Sequence, residues 1–154
     1  MDWFVDFITN PFLLTGLGSW FLAQVLKTII HAIINKKIIW ERLVGDGGMP
    51  SAHSATVTSL AMITALRCGW GSFEFAVAFI LASIVCHDAM GVRRETGRHA
   101  VVLNELLQAF EKLSDDELPE QKLKIFVGHT PVQVVAGMGL GILGALLMHF
   151  VIPL

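Results

Sequence analysis

Two histidines next to glycine- and polar-rich runs are the side chains of this sequence best suited to chemistry. His53 lies near the end of the glycine-rich run Gly45–Ser54, and His129 lies in the polar run Gly128–Gln133. One imidazole can attack phosphorus while another protonates the leaving oxygen. Lysine and arginine side chains, together with the backbone N–H groups of a helix N-terminus, stabilise phosphoryl oxygens. These residue types favour phosphoryl transfer.

The glycine-rich run Gly45–Ser54 leads directly into a predicted helix. Pro50 lies near the first turn, and Ser51 is a candidate N-cap. Such a loop directs several backbone N–H groups at one point, which suits a phosphate, and His53 would reach the same point. The alternative interpretation is a loop that only re-enters the bilayer, with His53 at the headgroup level.

A second polar cluster, His87–His99, follows a strongly apolar segment. Asp88 lies near the membrane boundary and needs a partner there, and Arg93 or Arg94 is within reach of one helical turn. The alternative is a stop-transfer arginine pair with Asp88 as a helix-end carboxylate. That alternative fits the arginines better than it fits Asp88, because apolar sequence precedes the carboxylate.

The third cluster places an amide beside a histidine. His129 and Gln133 are four residues apart, so they share a helix face and the amide can orient the imidazole. Lys27 is a further candidate if it points into the bundle, and Gln24 and His31 lie on its helix face. The alternatives are a structural histidine and a lysine that extends to the headgroups.

A metal site is the competing explanation for histidine beside Asp88. No pair of residues has the spacing of HExxH or of another ligand motif, and the nearby cations would repel a divalent ion. The sequence therefore predicts chemistry without a metal or cofactor.

The composition predicts that these clusters belong to an integral membrane protein. The chain has 154 residues, of which 54% are hydrophobic and 16% charged, and its mean hydropathy is +0.65. The charged fraction is well below the roughly 25% of soluble domains. A net charge of -2 gives no basic field for nucleic acid. We expect one membrane-embedded domain over residues 1–154 and no nucleic-acid partner.

Four long apolar stretches predict an all-α bundle of about four transmembrane helices. A helix needs about 20 mostly apolar residues to cross a bilayer, and the second stretch meets this requirement only marginally. Two further segments are amphipathic: the lead-in Met1–Asn10, and Thr96–Leu113, which predicts a surface helix. The four stretches are Phe12–Ile34, Pro50–Leu66, Phe73–Met90 and Thr130–Leu154.

Basic residues indicate the orientation of this bundle. Nine of the eleven Lys and Arg residues fall in the connections after the first and third stretches, which lie on one side of a four-span bundle. The positive-inside rule places both connections, the three polar clusters and the amphipathic helix in the cytoplasm, and both termini outside. The protein is expected in the cell (plasma or inner) membrane.

The last stretch carries small residues that favour helix packing. Gly137, Gly141 and Ala145 recur at intervals of four, a spacing that lets helices approach closely in lipid. The alternative is that these are only the glycines common in membrane helices.

Three motifs resemble the small, divergent membrane branch of the phosphatidic acid phosphatase type 2 and vanadium haloperoxidase superfamily. The resemblance extends from Asn10 to Leu154, and it is the combination of motifs that is specific. They are Gly47-Gly48-Met49-Pro50-Ser51-Ala52-His53-Ser54, Asp88-Ala89-Met90-Gly91-Val92-Arg93-Arg94 and Gly128-His129-Thr130-Pro131.

The resemblance implies a role for each matching residue. His53 would be the general acid, and Ser51 with Ala52 would contact phosphate. His129 would be the nucleophile that forms a phosphohistidine. Lys27 is the best match to an early phosphate-binding lysine.

The sequence departs from the superfamily pattern at three positions. The first is a small change, because Ala52 stands where the pattern has the glycine before the acid histidine. The acidic partner of the nucleophile is replaced by Gln133, so Asp88 or Glu95 would have to supply a carboxylate. The phosphate-binding arginine is absent, because Leu123 stands at its position. Its candidate replacements are Arg93, Arg94 and Lys124.

The resemblance and the residues together predict a metal-independent phosphatase acting on a phosphate ester or diphosphate of a lipid. The alternative is a phosphate or lipid-phosphate binding or transport module that has lost catalysis. A third hypothesis is a structural assembly partner that uses the glycine face and the helix Thr96–Leu113. The expected partners are a lipid phosphate, the bilayer and, if the chain self-associates, further copies of itself.

Overall fold

The computed structural model describes residues 2–36, 48–113 and 129–151, without the side chains of 92–94, 96–98, 108 and 111–113. These residues form an all-α membrane helix bundle, as predicted. The helices described are α1 (Asp2–Ile8), α2 (Pro11–Asn35), α3 (Ala52–Cys68), α4 (Phe73–Met90), α5 (Val92–Leu113) and α6 (Pro131–Val151).

Side-chain caps explain where three of these helices begin. Asn10 Oδ1 accepts hydrogen bonds from the backbone N–H groups of Phe12 and Leu13 at 2.9 and 3.2 Å. Ser51 and Ser72 cap α3 and α4 in the same way, each accepting from a backbone N–H three residues later. These caps satisfy N–H groups that have no partner within the helix.

The amphipathic helix α5 begins earlier than predicted. The sequence predicted a start at Thr96, but α5 begins at Val92. The residue between the two helices is Gly91, whose N–H donates to the carbonyl oxygen of His87 and so caps the end of α4. Sequence periodicity did not reveal this start, because the charged first turn lacks the apolar periodicity of the rest of the helix. The large apolar side chains of α5 that the structure describes are exposed, among them Leu106 and Phe110.

Helix α3 lies at the centre of the bundle and contacts α2, α4 and α6, whereas α2 and α4 do not contact each other within the described residues. Three described helices, α2, α4 and α6, are long and apolar enough to cross a membrane. The predicted count of four spans is therefore one higher than the helices that meet this criterion. The difference is α3, which has only 17 residues and carries buried serine and threonine side chains. A helix enclosed by its neighbours has less need of lipid-facing apolar side chains.

Small residues bring α6 close to α3, as the spacing of the glycines predicted. Gly137, Gly141 and Ala145 are buried. A Cβ at position 137 would collide with the carbonyl oxygen of Ser51, and one at 141 would lie 2.5 Å from the carbonyl oxygen of Ala55. Only glycine permits this approach, so the packing interpretation is confirmed.

The helix directions bring three polar clusters to one end of the bundle. Gly48, just before α3, lies against the side chain of Lys27 in the second half of α2. The α4 residue Ala89 accepts a hydrogen bond from the backbone N–H of His129, which stands just before α6. We refer to this end as the histidine end.

Candidate functional site

Backbone hydrogen bonds fix the segments of the histidine end relative to each other. The N–H of Ser51 donates to the carbonyl oxygen of Gln133 at 3.0 Å, and the N–H of His129 donates to that of Ala89 at 3.2 Å. The start of α6 is thereby joined to both α3 and α4. Residues far apart in the sequence thus occupy one site.

The two histidines face each other there. The ring centroids of His53 and His129 are 6.2 Å apart, with 60° between the ring planes. His129 is 4% exposed and His53 is half-buried. A nucleophile must come within about 3.5 Å of the atom it attacks, and a general acid within about 3.2 Å of the oxygen it protonates. The two imidazoles are close enough to act on one phosphoryl group.

Gln133 determines which nitrogen of His129 carries the proton. Its Oε1 accepts the backbone N–H of Thr130 at 3.0 Å, which requires the amide oxygen, not the amide nitrogen, at that position. The same oxygen lies 3.3 Å from His129 Nδ1. Nδ1 must therefore hold a proton, and Nε2 of the neutral ring carries the lone pair. In this tautomer Nε2 is the nitrogen that can act as the nucleophile.

Ser51 makes two side-chain hydrogen bonds and one backbone hydrogen bond within the bundle, and its predicted contact with phosphate stays a prediction. Its Oγ accepts from the N–H of Ser54 at 3.3 Å and from Ser54 Oγ at 3.0 Å, and its own N–H is bound to Gln133. The predicted N-cap is confirmed. Pro50 directly precedes this N-cap, near the first turn as predicted.

The backbone N–H groups of Ala52 and His53, unlike that of Ser51, are not used by the described part of the fold. Among the residues that the structure describes, no acceptor takes the backbone N–H of Ala52 or His53, whereas those of Ser54 and Ala55 are bound to Ser51. Ala52 is 4% exposed and packs against Ala23 of α2. The first turn of α3 therefore offers two N–H donors and the positive end of a helix dipole to an anion.

Lys27 is buried beside the start of this loop. Its side chain is 4% exposed, and a Cβ at position 48 would lie 3.0 Å from both its Cγ and its Cδ. Gly48 has a φ of +92°, a conformation that favours glycine, and a side chain there would require Lys27 to shift. The aliphatic part of Lys27 packs on Gly48 inside the bundle, in contrast to a lysine that extends into the headgroups.

The structure locates the other predicted residues less completely. Asp88 is half-buried in the last turn of α4 and precedes Ala89, the residue that binds the His129 backbone. Arg93 and Arg94 belong to the first turn of α5, but their side chains lie outside the described residues. Outside as well are 37–47 and 114–128, which include Lys124 and Leu123.

The described residues give no basis for a bound metal. Within 2–36, 48–113 and 129–151, no group of three or more His, Cys, Asp or Glu side chains could hold an ion.

Glu95, one of the carboxylates considered as a partner for the nucleophile, is exposed in α5. The group that accepts a hydrogen bond from His129 Nδ1 is the neutral amide of Gln133, not a carboxylate.

Sequence reasoning assigned no function to two residues that organise the site. Thr130 donates the hydrogen bond that orients Gln133, and Ser54 binds Ser51 through its hydroxyl group. Both residues lie in the polar runs that the sequence analysis identified, Ser54 in Gly45–Ser54 and Thr130 in Gly128–Gln133. The signal for Ser54 was its spacing of three from Ser51, which puts both hydroxyls on one helix face.

Comparison with known proteins places the chain among membrane proteins of one family. Residues 8–144 match the model of the Divergent PAP2 family. The chain is 38% identical to the "Uncharacterized membrane protein YuiD" of Bacillus subtilis (strain 168), over 95% of this chain and 98% of that protein. No solved structure is significantly similar.

Proposed function

Because the chain belongs to the Divergent PAP2 family and pairs His53 with His129 beside a helix N-terminus, we propose that it is a membrane phosphatase. Its substrate is a phosphate ester or diphosphate of a lipid, and its mechanism needs no metal. The single observation that carries this proposal is the separation of 6.2 Å between the two imidazole centroids.

In the first step, Nε2 of His129 attacks phosphorus and forms a P–N bond. The P–O bond to the leaving group breaks, and protonated His53 gives its proton to the departing oxygen. Gln133 accepts the Nδ1–H of His129 throughout. The products are an alcohol, or a lipid monophosphate when the substrate is a diphosphate, and a phosphohistidine.

In the second step, water attacks the phosphohistidine. His53, now neutral, removes a proton from the water as the P–N bond breaks, which releases inorganic phosphate and restores both histidines. Lys27 and the N–H groups of Ala52 and His53 stabilise the phosphoryl oxygens in both steps. The expected phosphate contact of Ala52 is thus its backbone N–H, and Arg93 and Arg94 remain candidates for the same role.

A neutral amide stabilises the imidazolium less than a carboxylate does, so we expect slow turnover. Asp88 is the candidate carboxylate near His129, since its neighbour Ala89 binds the His129 backbone. On the positive-inside rule we place the site at the cytoplasmic face of the membrane.

The test combines chemical trapping with histidine variants. Purified protein in EDTA should release phosphate from a lipid phosphate and form an acid-labile, base-stable phosphoenzyme. His129→Ala should abolish both. His53→Ala should lower hydrolysis of alkyl phosphates about 10²- to 10⁴-fold, but should spare aryl phosphates, whose leaving groups need no proton.

The control is His149→Ala, which removes a histidine near the end of α6, far along the helix from the site. This variant should keep wild-type activity. Phosphate release that survives in both His53→Ala and His129→Ala would contradict the mechanism.

A second function, phosphate binding or transport without turnover, is favoured by one observation. The acceptor on His129 Nδ1 is the neutral Gln133, where the superfamily pattern has an acid. Isothermal titration with vanadate, run beside the activity assay, separates the two functions. Binding without turnover supports the second function, and Lys27→Met should weaken binding about 10- to 100-fold in either case, because it removes a charged hydrogen-bond donor.

A further inference from the structure

One buried polar atom of α2 has no hydrogen-bond partner in the part of the chain that the structure describes. Gln24 is 5% exposed, and its side-chain oxygen Oε1 is buried without a hydrogen bond from any residue that the structure describes. Leaving a buried acceptor unsatisfied costs about 1–3 kcal/mol. Such an atom in a native fold needs an explanation.

The position of Gln24 relates this atom to the candidate site. The preceding residue, Ala23, is fully buried against Ala52 and Ala55, so Gln24 lies at the level of the first turn of α3. Lys27 is three residues further along the same helix face and packs on Gly48. Gln24 therefore lies on the part of α2 that packs against Gly48 and the first turn of α3, where the candidate phosphate donors are.

The chemistry of the atom limits what it can bind. A carboxamide oxygen accepts hydrogen bonds and donates none, so it gives nothing to a fully ionised phosphate oxygen. A hydroxyl group is a suitable partner. That hydroxyl can belong to the phosphate itself, as P–OH, or to the alcohol that carries the phosphate.

We propose that Gln24 is a substrate-contact residue whose Oε1 accepts a hydrogen bond from a hydroxyl group of the bound phosphate compound. The proposal rests on the phosphatase or phosphate-binding function proposed above and adds a specificity to it. Ligands with such a hydroxyl bind more tightly than those without, because only they satisfy the buried acceptor.

The experiment uses three ligands that separate the two sources of the hydroxyl. They are orthophosphate, hexadecyl phosphate, and 2-hydroxyhexadecyl phosphate, which differs from the second by a single hydroxyl. Their affinities are measured by isothermal titration on the purified full-length chain in detergent. The variants are Gln24→Met, which keeps the side-chain volume, and Gln24→Leu.

If the alcohol supplies the hydroxyl, the wild type binds 2-hydroxyhexadecyl phosphate about 3- to 10-fold more tightly than hexadecyl phosphate, and Gln24→Met removes that difference. If P–OH supplies it, Gln24→Met weakens all three ligands by a similar factor. Both results support the contact. Affinities of Gln24→Met and Gln24→Leu within twofold of wild type for every ligand would overturn it.

Thermal unfolding distinguishes a ligand contact from a structural role. Removal of an unpartnered buried oxygen should leave the melting temperature unchanged or raise it, so a variant that is equally stable but binds less tightly supports the proposal. The matched control is Thr58→Val, because Thr58 Oγ1 is also buried without a partner but lies nearly two turns beyond Ser51. It should leave all three affinities unchanged. If the wild type binds none of the three ligands, the proposed phosphate site is contradicted. That result differs from equal affinities of the wild type and the Gln24 variants, which contradict only the Gln24 contact.

Discussion

The two ends of α3 differ in how tightly their surroundings are packed. At the histidine end, Ser51 and Ser54 are fully buried and bound to each other, and Gly137 lets α6 approach their backbone. At the other end, α2 and α4 diverge over α3 and leave an apolar groove of about 540 Å³. The groove residues are Phe12, Leu60, Thr64, Cys68, Phe73, Glu74, Val77, Ala78 and Leu81.

This difference follows from the solvent that surrounds the protein. Polar groups at membrane depth need partners within the protein, because hydrocarbon supplies no hydrogen bonds. Close helix packing through glycine brings those partners together. Apolar side chains have no such requirement, since lipid tails are as apolar as leucine. The bundle is therefore closely packed around Ser51 and Ser54 and open beside the mostly apolar side chains that line the groove.

The largest expected effect comes from the hydrogen bonds of the polar end. Gln133→Leu removes the acceptor for His129 Nδ1 and the Thr130 N–H, so the imidazole loses its fixed tautomer. We expect kcat for lipid phosphate hydrolysis to fall about 10²- to 10⁴-fold. Gln133→Glu keeps an acceptor and should retain or raise kcat. Turnover of Gln133→Leu within threefold of wild type would show that the amide does not orient the nucleophile.

The next effect comes from the close approach of α6 and α3. Gly137→Ala forces a Cβ against the Ser51 carbonyl oxygen, and we expect it to lower the free energy of unfolding by about 3 kcal/mol, measured by denaturant titration in mixed micelles. Gly139→Ala, on the same helix, is the control, because a Cβ there meets nothing within 4 Å. Equal stability of the two variants would contradict the tight packing at the histidine end.

The smallest effect compares truncations at the two ends. Val134 is 1% exposed and packs against Cys86 and Ala89, so Val134→Ala should cost about 1 kcal/mol of stability. Leu81 lines the groove and is 45% exposed, so Leu81→Ala should change the unfolding free energy by less than about 0.5 kcal/mol. A larger loss for Leu81→Ala would indicate that the groove is closed in the membrane, by lipid or by another chain.

The helices themselves could be predicted because bilayer thickness imposes their length and hydropathy. The sequence located α4 at its observed bounds, Phe73–Met90, and α2 and α6 to within a few residues. It erred at the start of α5, whose charged first turn carries no apolar period. The stretch that met the length requirement only marginally is α3, a helix of 17 residues in the same bundle.

Part of the candidate site was also accessible from the sequence. Apolar helices that alternate in direction place Lys27, His53 and His129 near one membrane face, because a polar residue in such a segment is confined to a narrow range of depths. That reasoning gives the side of the bundle on which each residue lies. It does not give distances between residues.

The sequence by itself determined the helices, their alternation and the types of residue gathered at one end. Only the tertiary structure decided that the Ser51 N–H donates to the carbonyl oxygen of Gln133, and that the Gln24 oxygen has no partner among the residues that the structure describes. These contacts depend on the register between helices up to about a hundred residues apart in the chain. That register is set by how closely backbones approach at glycines such as Gly137, and no local pattern of hydropathy or spacing encodes it.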